Sequence, residues 1–119
     1  MPYQTIYTDT GVLMVSLENL SQYANGYKAR FAFGNPQSID FDNVEIKLRW
    51  GPARPKKFQP GEQQLWRAKF QTATQKIGKR IHASSWNPTD IILSPATSEQ
   101  VGVIEIESIS APTVFMRQQ

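Results

Sequence analysis

The sequence predicts an all-β domain, an antiparallel β-sandwich of immunoglobulin-like kind with about seven strands. Three observations predict it. Apolar residues recur at every second position in five separate stretches, the signature of half-buried strands. Turn dipeptides rich in Gly, Pro and Asn stand between those stretches. No run of about eleven residues or more sustains an apolar stripe at helical spacing. At 119 residues the chain is one domain's worth, long enough to bury about two-thirds of its unfolded surface.

Residues 1–10 read as a loosely held segment or an edge strand through Tyr3, Ile6 and Tyr7. The sandwich is expected over 11–112. Leu13, Val15 and Leu17 alternate with Met14, Ser16 and Glu18, and Tyr27, Ala29, Phe31 and Phe33 with Lys28, Arg30 and Ala32. Ala24-Asn25-Gly26 between these runs is a hairpin turn. A two-residue Asn25-Gly26 loop would set Phe33 against Glu18, mixing core and solvent. A three-residue loop with Gly26 in the left-handed conformation sets Phe33 against Leu17 and Tyr27 against Tyr23, so the longer loop is expected. Val44, Ile46, Leu48 and Trp50 alternate with Glu45, Lys47 and Arg49, the clearest strand of all.

Trp50-Gly51-Pro52 opens a loop over 51–61 with three prolines, two glycines and three cations. Trp66, Ala68 and Phe70, alternating with Arg67, Lys69 and Gln71, predict the next strand. Ile91 to Leu93 is a short apolar run that fits a buried strand. Residues 95–101 have room for one helical turn at most. Ile104, Ile106 and Ser108 share a last strand face opposite Glu105 and Glu107, and 113–119 read as a C-terminal tail, frayed from Met116 onward.

Composition narrows the chemistry. The absence of cysteine excludes a disulfide framework, a thiolate zinc site and cysteine catalysis. No run approaches the roughly 18 apolar residues of a membrane-spanning helix, and no signal-peptide pattern opens the chain. His82, the one histidine, stands between Ile81 and Ala83 and reads as a surface or hydrogen-bonded strand residue rather than a base for Ser84 or Ser85. Asp40 with Asp42, and Glu105 with Glu107, stand at i, i+2 and share a strand face. Such pairs can serve glycoside hydrolysis or a hard cation, but read here as solvated faces without the other ligands of an ion site. The seven glycines stand singly at turns and form no phosphate cradle. An enzyme is not expected, nor a metal or cofactor.

The net charge of +3 conceals a strong asymmetry. Residues 47–80 carry ten basic side chains and only Glu62, a local charge of +9 between two flanks of −3. With 66–70 as a strand, Lys47 and Arg49 share an outward face with Arg67 and Lys69. Arg54, Lys56, Lys57 and Phe58 then form a basic loop at the end of that stripe. Such a patch attracts nucleic acid, anionic lipid head groups or an anionic polysaccharide. Nucleic acid is the less favoured of these, because Trp50, Trp66 and Phe70 fall on the opposite face, leaving Phe58 alone for stacking. The plainer reading is a solvated face with lysines guarding a sheet edge. Trp86 reads as a cap over the open end of the core, the alternative being an indole presented to a sugar or peptide.

Further residues carry a resemblance. Val15 to Leu20, Tyr23 to Lys28, Phe31 to Pro36, Trp50-Gly51, Trp86-Asn87-Pro88, Leu93, Pro95 and the strand from Val101 to Ile109 are similar, over about residues 11–110, to the YajI-like group of small bacterial envelope lipoproteins of unknown function. The resemblance implies a β-sandwich held at the inner face of an outer membrane by an N-terminal lipid, with membrane contact only through that anchor. It brings no catalytic or binding residue. This chain has no lipid-bearing cysteine, so it is expected to be either a domain cut from a longer periplasmic lipoprotein or a cytoplasmic protein. The leading expectation is a non-enzymatic binding or scaffolding module of a bacterial envelope protein, with an unknown protein or an anionic polymer as partner. The alternative is a polyanion-binding module using residues 47–80.

Overall fold

The long hairpin of β2 (Val12–Tyr23) and β3 (Gly26–Asn35) organises the molecule, whose computed structural model describes residues 3–116. β1 (Gln4–Tyr7) pairs with β2, and β7 (Ser85–Leu93) pairs with β3, giving a four-stranded antiparallel sheet in the order β1-β2-β3-β7. Facing it, β5 (Glu45–Gly51) lies between β6 (Gln71–Lys76) and β8 (Val103–Ser110). A two-stranded ribbon pairs β4 (Ile39–Asp42) with β9 (Thr113–Met116). The all-β antiparallel class is as expected, with nine strands among the described residues in place of about seven. The first three strands form a meander within one sheet, whereas an immunoglobulin-like order sends the third strand to the opposite sheet.

One core fills the space between the sheets. Leu13, Val15, Phe31 and Phe33 meet Ile46, Leu48, Trp50, Ile106 and Ile109, with Phe41, Ile81 and Leu93 closing the sides. Val44, Ile46 and Leu48 are fully buried and Trp50 is nearly so, as the alternation of β5 requires.

The hairpin differs from its expected form. Tyr23 pairs with Gly26, so the loop is the two residues Ala24 and Asn25, with Ala24 in the left-handed region at φ 51°. The extra residue is Glu18, a bulge between the Leu17–Phe31 and Asn19–Arg30 pairs. It inverts the parity of β2, so that Leu13 and Val15 face the core before it and Leu20 after it, and Phe33 sits against Val15. A second bulge, in β8 at Glu107, carries the core face from Ile106 to Ile109 and leaves Ser108 exposed.

Residues 66–70 are not a strand. Glu62–Ala68 form an α-helix, α1. A spacing of four satisfies both periods, so Trp66 and Phe70 share a side in a helix as they would in a strand. Helix-forming residues decide the matter: Glu-Gln-Gln-Leu-Trp-Arg-Ala follows Pro60-Gly61, with an acid at its start and Arg67 in its last turn. β6, which pairs with β5, begins only at Gln71. Ser98–Val101 form the single helical turn expected within 95–101. Residues 113–116 of the expected tail form β9, while Arg117 to Gln119 lie outside the described residues.

Candidate functional site

The basic segment divides into two parts. Lys47 and Arg49 do share the outward face of β5, but β8 answers their charge. Arg49 holds Glu105 through Nε at 2.6 Å and through a second nitrogen at 2.5 Å, and reaches Glu107 at 3.3 Å. Lys47 lies 3.4 Å from Glu107. The expected stripe joining them to Arg67 and Lys69 is absent, because those two stand on α1 and at its C-terminal cap rather than on a neighbouring strand.

The second part is a knob over residues 52–70. Trp66, 8% exposed, donates its indole N–H to the Pro52 carbonyl at 2.9 Å, tying α1 to the start of the loop. Phe70 meets Trp66 edge to face at 4.9 Å between ring centres, and Phe58 packs against Trp66 at 5.7 Å. Guanidinium groups lie on these rings: Arg49 over Phe70 at 5.8 Å, Arg54 over Phe58 at 5.3 Å and Arg67 over Trp66 at 5.6 Å. Phe58 is half-buried, and Arg54, Lys56, Lys57, Arg67 and Lys69 are exposed. None of these five joins an ion pair among the described residues, and Glu62 is the only acid in the stretch. The aromatic cluster beneath the cations was missed by the strand reading. Its signal was the four-residue spacing of Trp66 and Phe70 after a helix-start dipeptide.

The other candidates fall elsewhere. Asp40 is not on a solvated face. It is 5% exposed, accepts the Ala83 N–H at 2.7 Å, and lies 3.9 Å from Arg80 and 3.6 Å from His82 Nδ1. Arg80 also reaches Asp42 at 3.9 Å and covers the Phe115 ring at 4.0 Å. Burial of Phe41 between the two aspartates draws both toward this arginine. The hydroxyl of Ser85 donates to the His82 carbonyl at 3.0 Å. Among the described residues no group of three or more His, Asp or Glu side chains is placed to hold a metal ion. Trp86 does not cap the core: it lies on the outer face of the four-stranded sheet, 43% exposed, opposite Gly34.

No protein-family model matches the chain, and no curated protein matches it in sequence. Solved structures do. The solution structure of the uncharacterised lipoprotein YajI of Escherichia coli matches with a TM-score of 0.72 at 16% identity, over 99% of this chain and 66% of that one. The chain has the YajI-like fold. The trimeric lipoprotein SadB of Salmonella enterica matches with a TM-score of 0.78 at 15% identity, over 98% of this chain and 60% of SadB. The chain thus spans less than two-thirds of the length of SadB and about two-thirds of YajI. The β-sandwich implied by the residue resemblance to YajI-like lipoproteins is the fold observed.

Proposed function

We propose that this protein is a non-enzymatic binding or scaffolding module of the bacterial envelope. The observation that carries the proposal is the shared fold of the YajI and SadB lipoproteins over nearly the whole chain. The polar inventory supports it: the one histidine lies against a carboxylate already engaged with Arg80 and the Ala83 amide. SadB is a trimeric lipoprotein, which makes self-assembly one form such scaffolding takes. Fractionating cells that produce the tagged protein from its own gene tests the assignment. Recovery with the envelope fraction is expected, and recovery wholly in the soluble cytoplasm rejects it.

A second reading rests on the knob. Five exposed cations without acid partners, carried on a packed aromatic cluster, favour an anionic polymer or head-group surface as partner. The rings are already covered by one another and by guanidinium groups, so contact by charge is favoured over base stacking. Lys47 and Arg49, paired with glutamates, contribute less than Arg54, Lys56, Lys57, Arg67 and Lys69. Retention on a heparin column at low salt, falling steeply with added salt and lost in the Arg54→Glu/Lys56→Glu/Lys57→Glu variant, is expected. A flow-through at low salt ends this reading.

A further inference from the structure

The outer face of the four-stranded sheet carries three cross-strand rows of different character. Met14, Gly34 and Trp86 are in register at one end, Ser16, Ala32 and Pro88 in the middle, and Asn19, Arg30 and Asp90 at the other. At about 3.3 Å per residue, Gly34 and Arg30 lie roughly 13 Å apart along β3. Ser16 and Ala32 are only 3% and 4% exposed although they point away from the core, so the taller rows on either side enclose them. Small side chains make the middle row lower than the two beside it, a shallow trough in outline with Ser16 and Ala32 covered by their neighbours.

Each end of the trough is concave. At the aromatic end a hollow of about 240 Å³ is lined by Met14, Gly34, Ser84, Ser85 and Trp86. The indole lies against Gly34 so closely that a Cβ there would come within 2.9 Å of the ring, and Tyr3 meets it edge-on at 6.2 Å. Trp86 is therefore held in place while 43% of it stays open. At the polar end, hollows of about 160 and 420 Å³ share Arg30 and Asp90 as walls.

The Glu18 bulge gives the polar end its charge. In an unbroken ladder continuing the Leu17–Phe31 register, Glu18 would stand opposite Arg30 and pair with it. The bulge puts Asn19 there instead. The Arg30 side chain forms no ion pair, hydrogen bond or ring contact among the described residues, and Lys28 adds a second cation to the same hollow. Against Asp90 alone, this end favours a negatively charged group, and a guanidinium suits a planar carboxylate. The floor strands β2 and β3 are interior to the sheet, so an added β-strand has no free edge to pair with here.

We propose that this trough binds an acidic oligosaccharide, one sugar ring stacked on Trp86 and a sugar carboxylate held by Arg30. The site shares no residue with the basic knob and stands without it.

Titration with tetragalacturonic acid, followed by tryptophan fluorescence, tests the proposal, since Trp50 and Trp66 are buried and Trp86 is the exposed reporter. The acid is expected to change the emission and to bind at least about tenfold more tightly than neutral chitotetraose. Arg30→Gln, a change at an exposed side chain, is expected to weaken binding about tenfold and to abolish most of that preference. Trp86→Ala is expected to lose a similar factor by calorimetric titration, while Lys56→Glu/Lys57→Glu leaves the affinity unchanged. Absence of binding overturns the proposal. So do equal affinity for chitotetraose, binding that survives both Arg30→Gln and Trp86→Ala, and loss of binding in the knob variant.

Discussion

The side-chain amide of Gln75, on the edge strand β6, donates to the carbonyl of Ile92, on the edge strand β7, across 2.6 Å. One side chain thus bridges the two sheets. Four residues along the same edge, Lys79 donates to the carbonyl of Pro88, which itself has no N–H to offer. These groups occupy β7 where a second chain would otherwise pair. The variant Gln75→Ala/Lys79→Ala/Pro88→Thr is expected to self-associate in sedimentation velocity as concentration rises, beyond the wild-type profile. An unchanged profile shows that the edge is protected by something else.

The Arg49 contacts to Glu105 and Glu107 are geometrically good but half-exposed. Arg49→Met is expected to lower stability by only about 0.5–1 kcal/mol in urea titrations at low salt. The difference should shrink in about 1 M NaCl, where screening shortens the reach of charge. A loss that is large and indifferent to salt assigns Arg49 a packing role over Phe70 instead.

Asn35 carries more, because it is 2% exposed. Its Nδ2 donates to the Ile39 carbonyl at 2.7 Å, and its Oδ1 accepts from the backbone and side chain of Gln37. Gln37 in turn takes both backbone groups of Val12. Asn35→Ala leaves several of these groups unpaired and is expected to cost about 2–3 kcal/mol by chemical denaturation. A loss below about 0.5 kcal/mol would mean that water replaces the network.

Trp66 lies outside the main hydrophobic cluster, in a satellite of its own with Phe58 and Phe70. Trp66→Ala is expected to raise amide exchange across 52–70 while protection in β3 and β5 stays near wild type. Exchange that rises evenly through the sandwich would show that the knob and core unfold together.

How much of this was legible in the sequence follows from how local each signal is. Val44 to Trp50 alternate without interruption, and their burial could be read directly. Leu17 and Leu20 stand three apart, a break in period two that marks the Glu18 bulge, yet the extra residue fits equally well in the neighbouring turn. Trp66 and Phe70 satisfy strand and helix alike, so alternation over five residues left the choice to helix propensity. Lys47 and Arg49 were placed on the correct face, but their partners arrive from β8, nearly 60 residues away, and no local pattern encodes that pairing. The trough has the same origin: Trp86, Gly34 and Met14 meet only when three strands are in register.

The turn at Ala24 and Asn25 makes opposite demands on two neighbouring small residues. Ala24 adopts φ 51°, where an L side chain is strained and glycine is not. Gly26 needs no such backbone freedom, but a Cβ there would stand 2.1 Å from the Leu93 carbonyl oxygen, forcing β3 and β7 apart. Ala24→Gly is therefore expected to be neutral or stabilising by up to about 1 kcal/mol, relief of strain being partly offset by a more flexible unfolded chain. Gly26→Ala is expected to destabilise by about 1–3 kcal/mol, a drop in Tm of several degrees. Thermal melts of the two single variants check both signs. A harmless Gly26→Ala would mean that β7 yields at Leu93, and the close approach of the two strands would then not be what requires glycine.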